Sequence, residues 1–375
     1  MAAEDVFERG GRRWVLRRHP DREGSSLRAW DAADLLLLEA VERVQDEQEP
    51  ILLVGDRQGA LATVLAARQR TSLMDSAGGR VAVERNLQRN DLAQDGLSLR
   101  TDAQLDSTQH ALVVMKVPRS NDMLELRLRR LASLAPVGTP VLAGVMARHL
   151  SKGALRLFER FMPPVEVSRA VRKARVVRAV VGSPARRSEL RTFDGPEGLK
   201  LTSWKPVFGA GGTDKGAAKM LPTIPTSGDP LRIVDFGSGT GLLGLVAAAR
   251  CPRAELTFVD DSALAVDSSE RSWSLNRDTF GDRTATFLHA DNLAALAAAS
   301  VDLVLCNPPF HQAHTVTRQS AAAMFLESKR VLRAGGHLLV VGNRHLSYDT
   351  WLKRVFGSAG VVVRDQFFTV VRATR

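Results

Sequence analysis

A short apolar strand, a glycine turn and a helix are written twice in this chain, about 180 residues apart. The first copy is Ile51 to Val54, Gly55-Asp-Arg-Gln-Gly59 and an Ala/Leu-rich helical pattern to Arg70. The second is Leu231 to Val234, Asp235-Phe-Gly-Ser-Gly-Thr-Gly241 and a helical pattern to Arg250. Both copies then continue in one rhythm. Thr71 to Ser76 matches Leu256 to Ser262 as a strand ending in an acid, and Glu84 to Asn90 matches Glu270 to Asn276 as a helix ending in Asn. Ala111 to Val117 matches Asp302 to Pro308 as a further apolar strand. Strands alternating with helices build a parallel, doubly wound sheet. The expected fold class is therefore α/β, with two tandem Rossmann-like domains.

The expected boundaries are 1–182 for the first domain, 183–230 for a connector and 231–375 for the second domain. The connector is rich in Gly, Pro, Ser and Thr. It carries an Asp194-Gly195-Pro196 turn between two strand-like runs, hence a short hairpin, followed by a loop packing on the second domain. Val361 to Val363 and Phe367 to Val371, around Arg364-Asp365-Gln366, predict an antiparallel strand pair closing the second sheet.

The second half carries the chemistry. Gly237, Gly239 and Gly241 follow Asp235 at alternate positions, letting the backbone turn tightly and approach a ligand at a helix N-terminus. A nicotinamide enzyme has its third glycine one residue later. The present spacing is the usual form of an S-adenosylmethionine-dependent methyltransferase. Asp260 lies nineteen residues past Gly241 at a strand end, where an acid can accept both ribose hydroxyls. Asp291 and Asn292 follow a third strand and could meet the adenine amino group. Directly after the apolar strand Asp302 to Cys306 comes Asn307-Pro308-Pro309-Phe310. An amino group on a base or amide is a poor nucleophile because its lone pair is delocalised. The Asn307 side-chain oxygen and the Pro308 carbonyl can accept its two N–H bonds, orienting the nitrogen and favouring the positive charge that develops on it. The two prolines stiffen the loop. Phe310 offers a face for a splayed base. No strong general base is needed, because the proton acidifies once nitrogen carries the methyl. His311 and His314 lack a third ligand and make a poor metal site, so no metal is expected; either could line the substrate pocket. Cys306 reads as a small buried residue rather than a nucleophile.

Aligning the halves through Gly59 and Gly241 sets Gly55 on Gly237, Arg57 on Gly239, Leu53 on Asp235 and Lys116-Val117-Pro118 on Asn307-Pro308-Pro309. The Arg57 guanidinium is expected to fill the space of the methionine moiety. Lysine cannot accept a hydrogen bond from an amino group. The first half is therefore expected to be folded but catalytically silent, with its arginines and Lys116 reused to hold RNA.

The formal net charge is +11, which suits a polyanionic partner such as nucleic acid. Most of it falls between Arg148 and Arg191, where twelve Lys and Arg face three Glu. Arg172, Lys173 and Arg175 sit at its centre as candidate RNA contacts. No apolar run approaches the roughly 20 residues of a membrane span. The N-terminus lacks a secretory pattern, and two distant cysteines fit a reducing cytoplasm.

With these strings in view, the chain resembles the ribosomal RNA guanine-N2 methyltransferases, in which a degenerate class I methyltransferase domain precedes an active one. The strings are Leu27 to Asp34, Lys116-Val-Pro118, Asn307 to His314 and Asn343-Arg-His-Leu346, with the loop from Val207-Phe208 to Asp214 and Gly216. The match spans about residues 25 to 372 and is nearer the large-subunit branch than the small-subunit one. The resemblance implies methylation of a guanine N2 amine in 23S rRNA, with Asn307 to Phe310 at the amine. It also implies cofactor contacts at Gly237, Gly239, Gly241, Asp260 and Asp291, and a substrate side that includes Phe208, Asp214 and His311. Ser238 stands where the family usually has cysteine. The family implies action on protein-free RNA, and a monomer is expected. The competing expectations are a 16S rRNA guanine-N2 methyltransferase, a protein glutamine N-methyltransferase and a non-catalytic RNA-binding assembly factor. Against the glutamine enzymes stand the Phe after the two prolines, where they carry Tyr, and the silent first half.

Overall fold

The computed structural model describes residues 5–21, 27–44, 49–104, 109–183, 190–308 and 314–375, the side chains of 314–319 excepted. The chain divides into two compact units, Met1–Glu189 and Leu190–Arg375. Each holds a seven-stranded sheet. Across the first sheet the strands run Leu97–Arg100, Arg70–Leu73, Ile51–Val54, Leu112–Lys116, Pro140–Met146, Ala174–Val180 and Glu166–Val167. Across the second they run Ala285–His289, Glu255–Asp260, Arg232–Phe236, Val301–Cys306, Leu332–Asn343, Phe368–Thr374 and Ser358–Arg364. The two orders are the same. In both, the first five strands are parallel, the sixth pairs antiparallel with the fifth, and the seventh pairs antiparallel with the sixth.

The buried stretches of the central strands are apolar runs, broken in the second unit only by Asp235, because helices cover both sheet faces. Ile51 to Val54 are all buried, as are Ile233 to Phe236 and Leu303 to Cys306. The strand order reverses between Arg232–Phe236 and Val301–Cys306, and in open sheets of this kind ligands bind at the strand C-termini beside such a reversal. The acid–serine pairs that end the second strand of each copy start helices: Ser76 accepts from Gly79 N and Ser262 from Ala265 N.

From Leu190 onward, the segment expected as a connector belongs to the second unit. Its hairpin, Leu190–Asp194 with Lys200–Trp204, is held by Asn276. That side chain accepts from Lys200 N at 2.9 Å and donates to Lys200 O at 2.7 Å. Leu199 and Leu201 enter the core. The first unit repeats the device. Its hairpin, Val6–Arg9 with Arg12–Val15, is held by Asn90, which accepts from Val15 N at 2.7 Å and donates to Val15 O at 2.8 Å. The Asn that closes the matching helices in the two halves thus pins a hairpin in each, so the repeated unit includes its hairpin. The C-terminal antiparallel pair forms as expected. Its counterpart in the first unit went unpredicted, because one partner is only two residues long, Glu166–Val167.

Candidate active site

The glycine loop is set by backbone demands. Gly237, Gly239 and Gly241 all have positive φ, at 81°, 54° and 82°. A Cβ on Gly241 would lie 2.9 Å from the Ser269 Cβ, so this glycine lets two helices meet. Gly237 and Gly239 are less closely crowded among the described residues than Gly241. A Cβ on Gly237 would find the Met324 methyl at 3.3 Å and the Asn307 carbonyl oxygen at 3.9 Å, and one on Gly239 only the Phe208 carbonyl oxygen at 3.4 Å. A backbone cradle of three positive-φ glycines at a helix start fits a nucleoside-bearing cofactor.

Asp235 is 1% exposed. It acts on the loop itself: Oδ2 accepts from Gly244 N at 2.8 Å, fixing the helix start, while burial pushes its carboxyl up to about 8. Asp260, at the strand tip, accepts from Gly239 N at 2.9 Å through one oxygen and from Ser262 N at 2.9 Å through the other. Asn292 donates to Asp291 Oδ1 at 2.7 Å and accepts from Ala294 N at 2.8 Å. Its side chain thereby steadies Asp291.

Asn307 follows the Val301–Cys306 strand, with Pro308 buried behind it. Asn307 Nδ2 faces Asp214 Oδ2 at 3.4 Å. Asn307 Oδ1 is buried and, among the described residues, has no hydrogen-bond partner. Asp214 also caps the short Lys215–Met220 helix, accepting from Ala217 N at 3.0 Å through the same oxygen. The preceding loop, with Phe208 45% exposed, lies against the glycine loop. The structure thus brings together Gly237, Asn307, Asp214 and the Phe208 loop. Pro309, Phe310 and His311 lie outside the described residues, as does the His314 side chain. Cys306 is fully buried, and burial pushes its thiol up, so it is not a nucleophile. No group of His, Cys, Asp and Glu among the described residues could hold a metal ion.

The corresponding place in the first unit is filled, though not as expected. Arg57 is exposed. Arg127, from the helix Asn121–Leu134, fills the place: its Nη1 would lie 2.8 Å from a Cβ on Gly55. It is held by Asp102 through Nε–Oδ1 and Nη2–Oδ2 contacts of 3.1 Å, both residues being buried. Met324, an apolar side chain, stands over the matching Gly237. Lys116 is not free for RNA either: Asp31 Oδ1 at 2.7 Å and Asp34 Oδ2 at 2.8 Å hold it. Burial raises Asp34 to about 7 although Lys116 draws it down. Where Leu53 replaces Asp235, Asp56 takes over the loop bond, accepting from Ala62 N at 2.7 Å. Aligning glycines could not reveal Arg127 or Asp102, because both lie far from the loop in sequence.

Arg172 and Lys173 form the exposed tip of a turn closed by the Val171–Ala174 bridge, at φ 50° and 63°. Left-handed backbone is unfavourable for such side chains. Arg175 is half-buried and donates to Ser168 O at 3.1 Å.

Residues 4–183 match the model of the RLMG N-terminal domain, and residues 198–372 that of the methyltransferase small domain. A ribosomal RNA large subunit methyltransferase G of Pseudomonas paraeruginosa is 41% identical over 366 residues, covering 96% of this chain and 96% of its own. The protein of that name from Streptomyces griseus is 39% identical over 373 residues, covering 96% and 97%. A solved 16S rRNA N2 methyltransferase of T. thermophilus (RsmC), in complex with AdoMet and guanosine, superposes with a TM-score of 0.75 at 21% identity, covering 99% of this chain and 97% of its own. That likeness is one of fold. With relatives of about 40% identity matched end to end, a glycine cradle in the second unit and an ion pair filling its counterpart in the first, the chain belongs to the ribosomal RNA large subunit methyltransferase G family.

Proposed function

We propose that the second unit transfers a methyl group from S-adenosylmethionine to the N2 amine of a guanine in 23S rRNA. Asn307 carries this reading: its buried Oδ1 has no partner among the described residues, and its backbone carbonyl oxygen lies 3.9 Å from a Cβ placed on Gly237 of the glycine loop. Gly237, Gly239, Gly241 and Asp260 would hold the cofactor, with Asp235 shaping the loop and Asn292 steadying Asp291. The bound cofactor supplies an electrophilic methyl on a sulfonium. Asn307 Oδ1 and the Pro308 carbonyl accept the two N–H bonds of the amine and aim its nitrogen. They also stabilise the positive charge that nitrogen acquires as its C–N bond forms. The proton that leaves passes to water. Pro309, Phe310 and His311 complete the substrate side in this reading. The first unit and the Arg172–Lys173 tip hold RNA. The substrate is protein-free RNA, the chain acts as a monomer, and its setting is the cytoplasm; among the described residues no helix is long and apolar enough to cross a membrane.

The test is labelled-methyl transfer onto deproteinised large-subunit RNA, deproteinised small-subunit RNA, assembled subunits and a glutamine-bearing release-factor-like protein, followed by digestion to nucleosides. Label recovered as N2-methylguanosine from large-subunit RNA is the expected result. Label on small-subunit RNA, on assembled subunits only or on protein would replace the reading. Cofactor binding without transfer would favour an assembly factor.

A further inference from the structure

We infer that Asp214 is a positioning residue for methyl transfer, selecting which end of the Asn307 carboxamide faces the target amine; the inference rests on the function proposed above. A carboxamide has two ends of similar shape and opposite chemistry, and only the oxygen end can accept an N–H bond from the substrate. An ionised carboxylate accepts and cannot donate, so Asp214 Oδ2, 3.4 Å from Asn307, can meet only the NH2 end. That contact leaves Oδ1 at the other end, buried and without a partner among the described residues. The strand before Asn307 and the buried Pro308 after it fix the backbone of this residue. The remaining freedom is rotation of the amide, and Asp214 removes it. Its negative charge also polarises the carboxamide, making Oδ1 a stronger acceptor as the amine becomes positive. Asp214 is itself fixed, because the oxygen that meets Asn307 also accepts from Ala217 N at 3.0 Å at the start of Lys215–Met220. Two segments distant in sequence thus converge on one amide: the loop that runs through Asp214 into the Lys215–Met220 helix, and the prolyl loop.

The alternative is that Asp214 only caps its helix. Asn is as good a cap as Asp, so Asp214→Asn keeps that role while removing the charge. Steady-state transfer to deproteinised large-subunit RNA is measured for the wild type, Asp214→Asn, Asn307→Asp and the double variant, with cofactor affinity and melting temperature for each. Asp214→Asn should lower kcat by roughly tenfold, the scale of a hydrogen bond to a charged group. Its KM for RNA, cofactor affinity and melting temperature should hold. Asn307→Asp sets two carboxylates face to face and should lower kcat further. In that background Asp214→Asn removes one of the two charges and should raise kcat. This reversal of sign is the decisive result, since a pure capping role predicts the same effect in both backgrounds. Equal losses in the two backgrounds, an inactive double variant, or an effect confined to KM or cofactor affinity would each overturn the positioning role. A wild type that does not methylate this RNA overturns the underlying function instead.

Discussion

Asn307 Oδ1 is a buried acceptor without a partner among the described residues, and an acceptor in that condition costs about 1–3 kcal/mol. Evolution keeps such an atom where a ligand satisfies it. Asn307→Ala should therefore lower kcat about 100- to 1000-fold, the loss seen when one oriented group at a developing charge is removed. Folding stability should hold or rise by about 1 kcal/mol, and cofactor affinity should stay within about twofold; single-turnover kinetics with a parallel melt and binding titration check all three. Asp235 gives a second handle. Burial raises its carboxyl to about 8 from 3.8, so the fold favours the protonated form. Its contribution to stability is complete below 3.8 and is lost as pH rises through about 8. Asp235→Asn, which keeps an acceptor for Gly244 N, should flatten that decline, with a melting temperature that falls less than the wild type's across this window. An unchanged slope in a pH series of melts would show that Asp235 does not titrate in this way.

Among the elements, the strand–glycine–helix unit was legible in the second half, where the helix runs Leu242–Arg250, because its signals are local; in the first half the helix expected to reach Arg70 stops at Val64 and Arg70 opens the next strand, Arg70–Leu73. The hairpins were not assigned to their units, since what ties them down is a distant Asn: Asn90 to Val15 and Asn276 to Lys200. The fate of the first pocket was half legible. Loss of the middle glycine and of the Asn announced a silent site, but the group that fills it, Arg127, comes from a helix about 70 residues away in sequence and shows no pattern beyond a basic residue in an amphipathic run. Removing one member of a buried ion pair strands the other and costs about 3–5 kcal/mol. Arg127→Met, which copies the Met324 arrangement, should lower stability by about that amount in urea unfolding of the full chain. Adding Asp102→Leu should recover much of the loss, because the uncompensated charge then disappears. Two losses that simply add would mean that the pair is not coupled.

At the scale of the molecule the excess charge was legible as a run, although its availability differs from residue to residue. Lys116 is neutralised by Asp31 and Asp34, and Arg175 is turned onto a backbone carbonyl, whereas Arg172 and Lys173 sit exposed at a strained tip. If both contact phosphates, reversing them to Glu should weaken RNA binding at low salt and reduce the slope of log affinity against log salt by about 2. Filter binding across a salt series checks this; an unchanged slope would return the tip to the role of a solvated turn. The last step of the target site, from Pro309 to His311, lies outside the described residues, and there the chemistry rests on residue type alone.

The Arg127–Asp102 plug also fixes a stoichiometry. A duplicated chain could in principle load two donors and deliver two methyl groups in one visit to its substrate. With one of its two cradles closed by charges that cannot leave singly without penalty, it should load one donor at a time. Calorimetric titration with the donor should saturate at a single equivalent per chain. Recovering the second seat would take concerted change at Arg127 and Asp102, since removing either alone strands the other.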